Sequence, residues 1–216
     1  MPATLAHFRQ ALTVALPEYG VAATPERLER LSSYLAQLAR WNERVRLVGE
    51  ADPDTLARRH VGESLYLAQL LPLSHQTLLD LGSGGGFPGL ALQLAFPALK
   101  TTLVESKAKK AAFLAEVCRQ QALGRVVNQR LEDLSEAAEI VTVRALENLA
   151  AGPERFAHLL ISGGKLAAWV TEGLARDWQQ RLPRWRWQSP RLLPGSRERT
   201  IVLAEAPELG LFHVEH

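Results

Sequence analysis

The stretch Leu78-Leu79-Asp80-Leu81-Gly82-Ser83-Gly84-Gly85-Gly86-Phe87-Pro88-Gly89 decides the fold class of this 216-residue chain. It begins with apolar residues typical of a buried strand, passes through a glycine-rich turn and continues into a helix. Because glycine has no Cβ, such a turn lets the backbone approach a ligand closely. A strand, a glycine turn and a helix in this order predict an α/β fold with a ligand site at the turn.

The sequence after Leu73 alternates between short apolar runs and amphipathic stretches, which indicates a mostly parallel sheet covered on both faces. A final antiparallel pair gives seven predicted strands. The strands are predicted at Thr77 to Leu81, Lys100 to Val104, Val126 to Gln129, Ile140 to Val143, Lys165 to Val170, Trp185 to Gln188 and Thr200 to Glu205. The helices are predicted at Pro88 to Ala95, Lys107 to Gln121, Leu149 to Leu160 and Gly173 to Leu182.

Residues 1–72 form a predicted N-terminal helical extension, which we call the preface. Leucines recur at spacings of three and four from Thr24 to Trp41, and Thr24-Pro25 is typical of a helix start. A short helix is predicted from Leu5 to Leu16, and a third helix from Asp54 to Leu71. The domain prediction is completed by a ligand-binding domain over 73–206 and a loosely held tail over 207–216.

The glycine spacing separates two kinds of ligand. A dinucleotide-binding turn requires Gly-x-Gly-x-x-Gly, and Phe87 stands at the third glycine position. The spacing Gly82-x-Gly84-x-Gly86 instead resembles the S-adenosylmethionine-binding loop of class I methyltransferases. Glu105, 23 residues after Gly82 at the end of the second predicted strand, can accept hydrogen bonds from ribose hydroxyls in either class. A solvated helix-capping role for Glu105 is the alternative.

Composition indicates the class of protein and the cellular environment in which it works. The chain is 47% hydrophobic and 22% charged, as an ordinary globular protein is, and its net charge is +2. The single cysteine cannot form an internal disulfide, so we expect a reducing, cytoplasmic environment. We expect no secretion signal, no membrane span and no metal site. The excess of arginine over lysine favours phosphate binding weakly, and solvated arginines on helix faces are the preferred explanation.

Several stretches together resemble the bacterial small-subunit ribosomal RNA methyltransferase G family, also called glucose-inhibited division protein B. The resemblance covers nearly the whole chain, and Phe87-Pro88-Gly89 and Arg59-His60-x-x-Glu63-Ser64 are its most specific parts. The other parts are Trp41-Asn42, Arg130-Leu131-Glu132, Val143-Arg144-Ala145, Gly163-Gly164 and Arg197-Glu198-Arg199. The resemblance implies a class I methyltransferase fold, S-adenosyl-L-methionine as cofactor, and methylation of N7 of a guanine in 16S ribosomal RNA.

The resemblance also implies positions for individual residues. Gly82 and Phe87, with Gly84 of the same loop, would line the methionine and ribose side of the cofactor. Leu131 and Glu132 would flank the adenine, although Leu131 can be a core residue and Glu132 a helix-terminal charge. Arg144 would lie at the mouth of the pocket, because it ends a central parallel strand. Together with Glu105, these are the predicted cofactor-binding residues.

Four stretches depart from the family pattern. They lie on the side expected to face the acceptor: Arg46-Leu47-Val48, Glu63, Val170-Thr171-Glu172-Gly173 and Arg199-Thr200.

Methyl transfer to guanine N7 removes no proton, so we predict no general base and name no catalytic residue. Proximity would supply most of the rate. We interpret His60 as a structural residue. Phosphate contacts are expected from preface arginines and from lysines near the cofactor edge, with the small ribosomal subunit as partner and the protein a monomer. These candidates are Arg40, Arg44, Arg46, Arg58, Arg59, Lys107, Lys109 and Lys110.

Other functions remain open from sequence. They are a class I methyltransferase for a small molecule or protein, a nucleotide-binding oxidoreductase, and a non-catalytic RNA-binding ribosome-assembly factor. Trp185-Arg186-Trp187 could stack on unpaired bases, but its alternation favours a strand with one face in the core.

Overall fold

The computed structural model describes residues 3–146 and 148–207. Its longer helices and most of its strands follow one another as the sequence predicts, but β5 begins at Leu160 and not at Lys165, and β7 was not predicted. The helices are α1 (Leu5–Glu18), α2 (Pro25–Asn42), α3 (Pro53–Thr55), α4 (Glu63–Leu65), α5 (Gly89–Ala95), α6 (Ala108–Gln121) and α7 (Glu172–Arg181). The strands are β1 (Thr77–Leu81), β2 (Lys100–Val104), β3 (Arg125–Val127), β4 (Ala138–Arg144), β5 (Leu160–Thr171), β6 (Arg186–Trp187), β7 (Arg191–Leu192) and β8 (Arg199–Glu205).

The strands form one mixed sheet in the order β3-β2-β1-β4-β5-β8-β6, with β7 also paired to β8. The first five strands of this order are parallel, and β8 runs antiparallel to β5. The mostly parallel α/β fold is therefore confirmed. The described residues contain eight strands and not seven, because β7 has only two residues, too few to show a periodic pattern.

The preface packs on one face of the sheet. Leucines of α2 lie in the same buried cluster as residues of α5 and α6, so the preface and the sheet share a core. Helix α2 begins where the sequence predicts, since the Thr24 hydroxyl accepts a hydrogen bond from the Arg27 amide at 3.4 Å. The opposite face is covered by α7 and by residues 153–159, around Trp178 and Phe156.

The third helical stretch of the preface is irregular. The sequence predicts one helix from Asp54 to Leu71, and the structure has α3, a π-helix over Leu56–Gly62, α4 and a 3-10 helix over Tyr66–Gln69. Isolated π-helical turns are rare and often occur at functional sites. Apolar periodicity does not distinguish a π-turn from an α-turn, because one extra residue shifts the pattern only locally.

The predicted helix from Leu149 to Leu160 is wrong. The structure has two 3-10 helices there, Leu149–Ala151 and Pro153–Leu159, separated by Gly152 at φ +110°. Glycine in this conformation followed by proline ends the first helix. The apolar pattern still marked burial, since Phe156 and Leu159 are fully buried.

Trp185 is buried and Trp187 packs beside it, with ring centroids 6.2 Å apart. Both belong to the core below the sheet, which agrees with the core interpretation. None of the helices described is long and apolar enough to cross a membrane. Residues 208–216 of the predicted tail lie outside the described residues. The predicted domain boundaries stay a prediction.

Candidate active site

A cleft of about 720 Å³ opens at the carboxyl ends of β1, β2 and β4. These ends coincide because Leu81 pairs with Val104 on one side and with Val143 on the other. In parallel α/β sheets this edge is where ligands bind. All seven predicted cofactor-binding residues line the cleft: Gly82, Gly84, Phe87, Glu105, Leu131, Glu132 and Arg144. The structure thus brings them together, and their contacts with a cofactor stay a prediction.

The glycine turn forms one wall. Gly82, Gly84 and Gly86 have φ values of +70°, +55° and +100°, which favour glycine. The turn is held to the sheet because the Ser83 amide donates to the Val104 carbonyl at 2.9 Å. From the preface, the Tyr34 hydroxyl donates to the Gly85 carbonyl.

Gly89 supplies the close helix–strand contact that the third glycine provides in dinucleotide folds. A Cβ at Gly89 would lie 2.4 Å from the Asp80 Cβ. The sequence predicted the turn but assigned no role to Gly89, two residues beyond the position at which the dinucleotide pattern places its third glycine.

Asp80 is a buried carboxyl behind the turn. The Thr142 hydroxyl donates to its Oδ1 at 2.7 Å, across β1 and β4. Burial raises the pKa of Asp80 to about 6, although the hydrogen bonds from Thr142 and Ser83 act in the opposite direction. Asp80 therefore joins two central strands directly beneath the cleft.

Glu105 follows β2 and joins the glycine turn to the start of α6. Its Oε2 accepts from the Gly84 amide at 2.9 Å, and its Oε1 accepts from the Lys107 amide at 2.8 Å. The residue is only 6% exposed. Each carboxylate oxygen has a second lone pair. Glu105 therefore lies directly after β2 and lines the cleft with acceptor capacity for a diol, and its contact with a ribose stays a prediction.

Leu131 and Glu132 form another part of the cleft wall. Leu131 belongs to the apolar cluster under the sheet and also lines the cleft, so it is both core and wall. Glu132 is exposed and pairs with Arg155, another lining residue, at 2.8 Å. Arg155 holds the pKa of Glu132 below its ordinary value.

Arg144 ends β4 and connects the cleft to the preface. Its guanidinium pairs with Glu63 at 2.8 Å and donates to the backbone carbonyls of Arg59 and His60. Arg199 of β8 binds the other oxygen of Glu63 at 2.8 Å. We call Glu63, Arg144 and Arg199 the clamp. Glu63 is 1% exposed, so its charge is balanced by arginines and not by solvent.

His60 lies beside the clamp and lines the cleft. Its ring packs against Phe87, with centroids 4.8 Å apart and planes inclined by 35°. Packing on Phe87 is compatible with the structural interpretation of His60, but the place of the ring in the cleft was not predicted. The signal available in the sequence was the Arg59-His60-x-x-Glu63-Ser64 stretch, which the resemblance singled out without assigning a role to the histidine.

Asn42 brings a second part of the preface to the cleft. Its side-chain oxygen accepts from the amides of Leu47 and Val48 at 2.8 and 2.9 Å, and both of these residues line the cleft. The segment after α2 is therefore fixed by one side chain.

The predicted phosphate contacts differ in their availability. Arg58 forms ion pairs with Glu18 and Asp54, so it is engaged within the preface. The side chains of Arg40, Arg44, Arg46, Arg59 and Lys109 are exposed. Lys110 is half-buried in the wall of the cleft.

A mostly parallel sheet with this strand order, a glycine turn after β1 and an acidic residue after β2 define a class I S-adenosylmethionine-dependent methyltransferase fold. A solved S-adenosylmethionine-dependent methyltransferase from Aquifex aeolicus has this architecture. It superposes with a TM-score of 0.58 over 72% of this chain and 94% of that one, at 14% sequence identity.

The sequence comparisons identify the family. A family model described as rRNA small subunit methyltransferase G matches residues 27–191. Ribosomal RNA small subunit methyltransferase G of Chloroflexus aggregans is 37% identical over 69% of this chain and 66% of that protein. The protein of that name from Stenotrophomonas maltophilia is 42% identical over 64% of this chain and 66% of its own length. The chain belongs to the ribosomal RNA small subunit methyltransferase G family, and the matches span just under two thirds of these relatives.

Proposed function

We propose that this protein transfers a methyl group from S-adenosylmethionine to N7 of a guanine in 16S ribosomal RNA. The observation that carries the proposal is the cleft at the carboxyl edge of the sheet, where the glycine turn and Glu105 meet. The family match supports an RNA acceptor. The comparisons give no support to a small-molecule or protein acceptor, or to a non-catalytic assembly factor.

The cleft fits the cofactor. Gly84 lies at the surface of the turn, where a Cβ would meet only the Gly82 carbonyl oxygen, at 3.7 Å, so its backbone is open to a ligand. Glu105 has lone pairs for the ribose diol, and Leu131 offers an apolar surface for the adenine. Gly82, Phe87, Glu132 and Arg144 complete the proposed binding set.

Once bound, the cofactor supplies a methyl group on a cationic sulfur, which needs no activation by the protein. A guanine N7 held in line with that methyl group would form the new N–C bond with its lone pair, and the electrons of the broken S–C bond would remain on sulfur. The positive charge moves to the base, and no proton leaves. The protein's task is to hold the acceptor in line and exclude water. A role as positioning scaffold agrees with a site built of backbone, carboxylate and aromatic groups.

Exposed cations of the preface give the acceptor side its charge. Arg44 and Arg46 precede Leu47 and Val48 in the cleft wall. Contacts from such residues to phosphates position RNA without reading its sequence. We therefore propose that residues 1–72 serve as the RNA-facing extension of the 73–206 domain. The acceptor lies in the small ribosomal subunit, and the protein works as a cytoplasmic monomer.

The test measures radiolabelled methyl transfer to small subunits from bacteria lacking the modification, with transfer RNA and modified subunits as controls. We expect one labelled guanine N7 per unmodified subunit. Glu105→Ala should weaken cofactor binding by at least tenfold, because the ribose loses an acceptor and the glycine turn loses its anchor. The control Glu116→Gln changes a half-buried acid further along α6, paired with Arg119, and should bind cofactor as the wild type does.

Cofactor binding without RNA labelling would overturn the proposed acceptor. Equal cofactor affinities for wild type and Glu105→Ala would overturn the proposed cofactor site.

A further inference from the structure

His60 occupies a fixed place in the cleft. It lies in the π-helix Leu56–Gly62, and its carbonyl oxygen accepts from the Ser64 hydroxyl at 2.5 Å and from Arg144 at 3.3 Å. The ring itself rests on Phe87. Backbone and ring are therefore both held, which is the arrangement that a precise binding contact requires.

The His60 ring is neutral at physiological pH. Burial lowers its pKa from 6.5 to about 4, with smaller effects in the same direction from Arg144 and Arg59 and an opposing effect from Asp52. A neutral imidazole has one N–H donor and one acceptor nitrogen. Among residues 3–146 and 148–207, no protein group hydrogen-bonds either ring nitrogen. The ring thus has hydrogen-bonding capacity that the described fold does not use.

A neutral N–H donor such as this imidazole suits a guanine that is methylated at N7. The Hoogsteen edge of guanine has two acceptors, N7 and O6. N7 must keep its lone pair for the methyl group, so O6 is the atom that the protein can hold. A neutral N–H donor can do this without adding charge, whereas an imidazolium would repel the cationic methyl donor and the cationic methylated base.

We propose that His60 binds the acceptor guanine, donating a hydrogen bond to O6 and so aligning N7 with the methyl group. Phe87 keeps the imidazole in the required plane, and the clamp keeps the π-helix against the cleft. This assignment rests on the proposed function and gives His60 a binding role on the acceptor side.

The experiment compares His60→Gln with His60→Leu. Glutamine retains an N–H donor but packs poorly on Phe87, whereas leucine packs well and has no donor. We measure single-turnover methyl transfer to unmodified small subunits at saturating cofactor, cofactor affinity, and melting temperature. A binding role predicts that His60→Gln lowers the rate by less than about fivefold and His60→Leu by about 30-fold or more, since a lost hydrogen bond of about 2 kcal/mol corresponds to that factor.

A guanine-binding role predicts a faster methyl transfer for His60→Gln than for His60→Leu, and a packing role predicts the reverse. If His60→Leu is as active as His60→Gln or more active, His60 only packs and the inference is overturned. If His60→Leu weakens cofactor affinity as much as it lowers the rate, the imidazole serves the cofactor and the inference is again overturned. If the wild type binds cofactor but labels no RNA, the proposed function fails and the inference fails with it.

Discussion

Gly82 shows at the residue scale why the turn after β1 requires glycine. Its φ of +70° lies in the left-handed region, and a Cβ there would lie 2.6 Å from a methyl carbon of Leu146. Conformation and space both oppose a side chain. Gly163 has the same φ with nothing within 4 Å, and Gly173 has ordinary backbone in open space. The chain therefore offers controls that separate the two effects.

Gly82→Ala should lower the free energy of unfolding by more than Gly163→Ala, which should cost about 1–2 kcal/mol through backbone strain alone. Gly173→Ala, within α7, should be neutral or stabilising by up to about 1 kcal/mol. Urea unfolding measures all three. Equal losses for Gly82→Ala and Gly163→Ala would show that Leu146 moves aside freely.

The depressed pKa of His60 predicts a pH dependence of stability. The unfolded state binds a proton below its pKa of 6.5, and the folded state does so only below about 4. Stability contributed by the neutral ring is therefore complete above pH 6.5 and is lost as pH falls toward 4. Wild type should lose about 2 kcal/mol more than His60→Leu between pH 7 and pH 5.

The difference between the two proteins isolates His60 from Asp80, whose raised pKa acts in the opposite sense over the same range. Parallel stability–pH curves for wild type and His60→Leu would show that the imidazole titrates normally in the folded protein.

Sequence reasoning found the residues whose place follows from the chain itself. Gly82, Gly84 and Glu105 come directly after predicted strands, so their position at the carboxyl edge could be inferred. His60, Glu63 and Asn42 could not be placed in this way. His60 contacts Phe87 and Glu63 pairs with Arg144, and both partners are distant in sequence. A local sequence pattern does not show such contacts.

At the scale of elements, the clamp joins the irregular helix of the preface to β4 and β8. Trp169 of β5 adds to it, because its indole N–H donates to the Glu63 carbonyl at 2.9 Å. Three of the stretches that depart from the family pattern meet here: Thr171 pairs in register with Arg199, and Arg199 binds Glu63. The departures are therefore neighbours in space.

Glu63→Gln should destabilise the protein by about 3 kcal/mol, because it leaves two guanidinium groups with no balancing charge, one of them mostly buried. The matched control is Glu172→Gln, which removes an exposed ion pair with Arg176 and should change stability by less than about 0.5 kcal/mol. Thermal or urea unfolding compares them. Similar small effects in both variants would contradict a structural role for the clamp.

Helices and strands were predicted well where the pattern of apolar residues keeps a single period along the whole element. The strands β1 and β2 match their predicted bounds, and in each of them the four residues after the first are buried. The prediction of one helix from Leu149 to Leu160 was wrong because an apolar pattern indicates burial and not the type of helix. The Gly152-Pro153 step divides this segment into two 3-10 helices. The π-helix was not predicted for a similar reason, since its extra residue leaves the apolar stripe almost unchanged.

At the scale of the whole molecule, the proposed RNA-binding surface lies on the side of the preface. Replacing Arg44 and Arg46 by glutamine should lower the affinity for unmodified small subunits. It should also reduce the slope of log affinity against log salt by about 1.5, because each phosphate contact releases less than one counterion. Filter binding at several salt concentrations measures the slope.

The control for this prediction is the double replacement of Lys100 and Arg119, exposed cations away from the cleft edge, at the start of β2 and near the end of α6. Equal changes of slope in both double variants would show that the RNA contacts are spread over the surface and do not centre on the preface.

The layered architecture was largely predictable because a parallel sheet needs cover on both faces. The docking of the preface on that sheet was not predicted, since an amphipathic stripe shows that a helix face is buried but not which element covers it. Only the structure shows that α2 lies against α5 and α6, and that Asn42 then directs the chain into the cleft wall.

The shared core has a consequence for synthesis of the protein. The preface is made first, yet the apolar face of α2 is covered by α5 and α6, and α6 ends at Gln121. About 80 residues lie between the end of α2 and the end of α6, so roughly 4–16 seconds of translation at ordinary elongation rates pass before that face can be buried. Throughout that interval the part of the α2 face that packs on α5 and α6 stays exposed, so the preface completes its packing only after α6 has been translated.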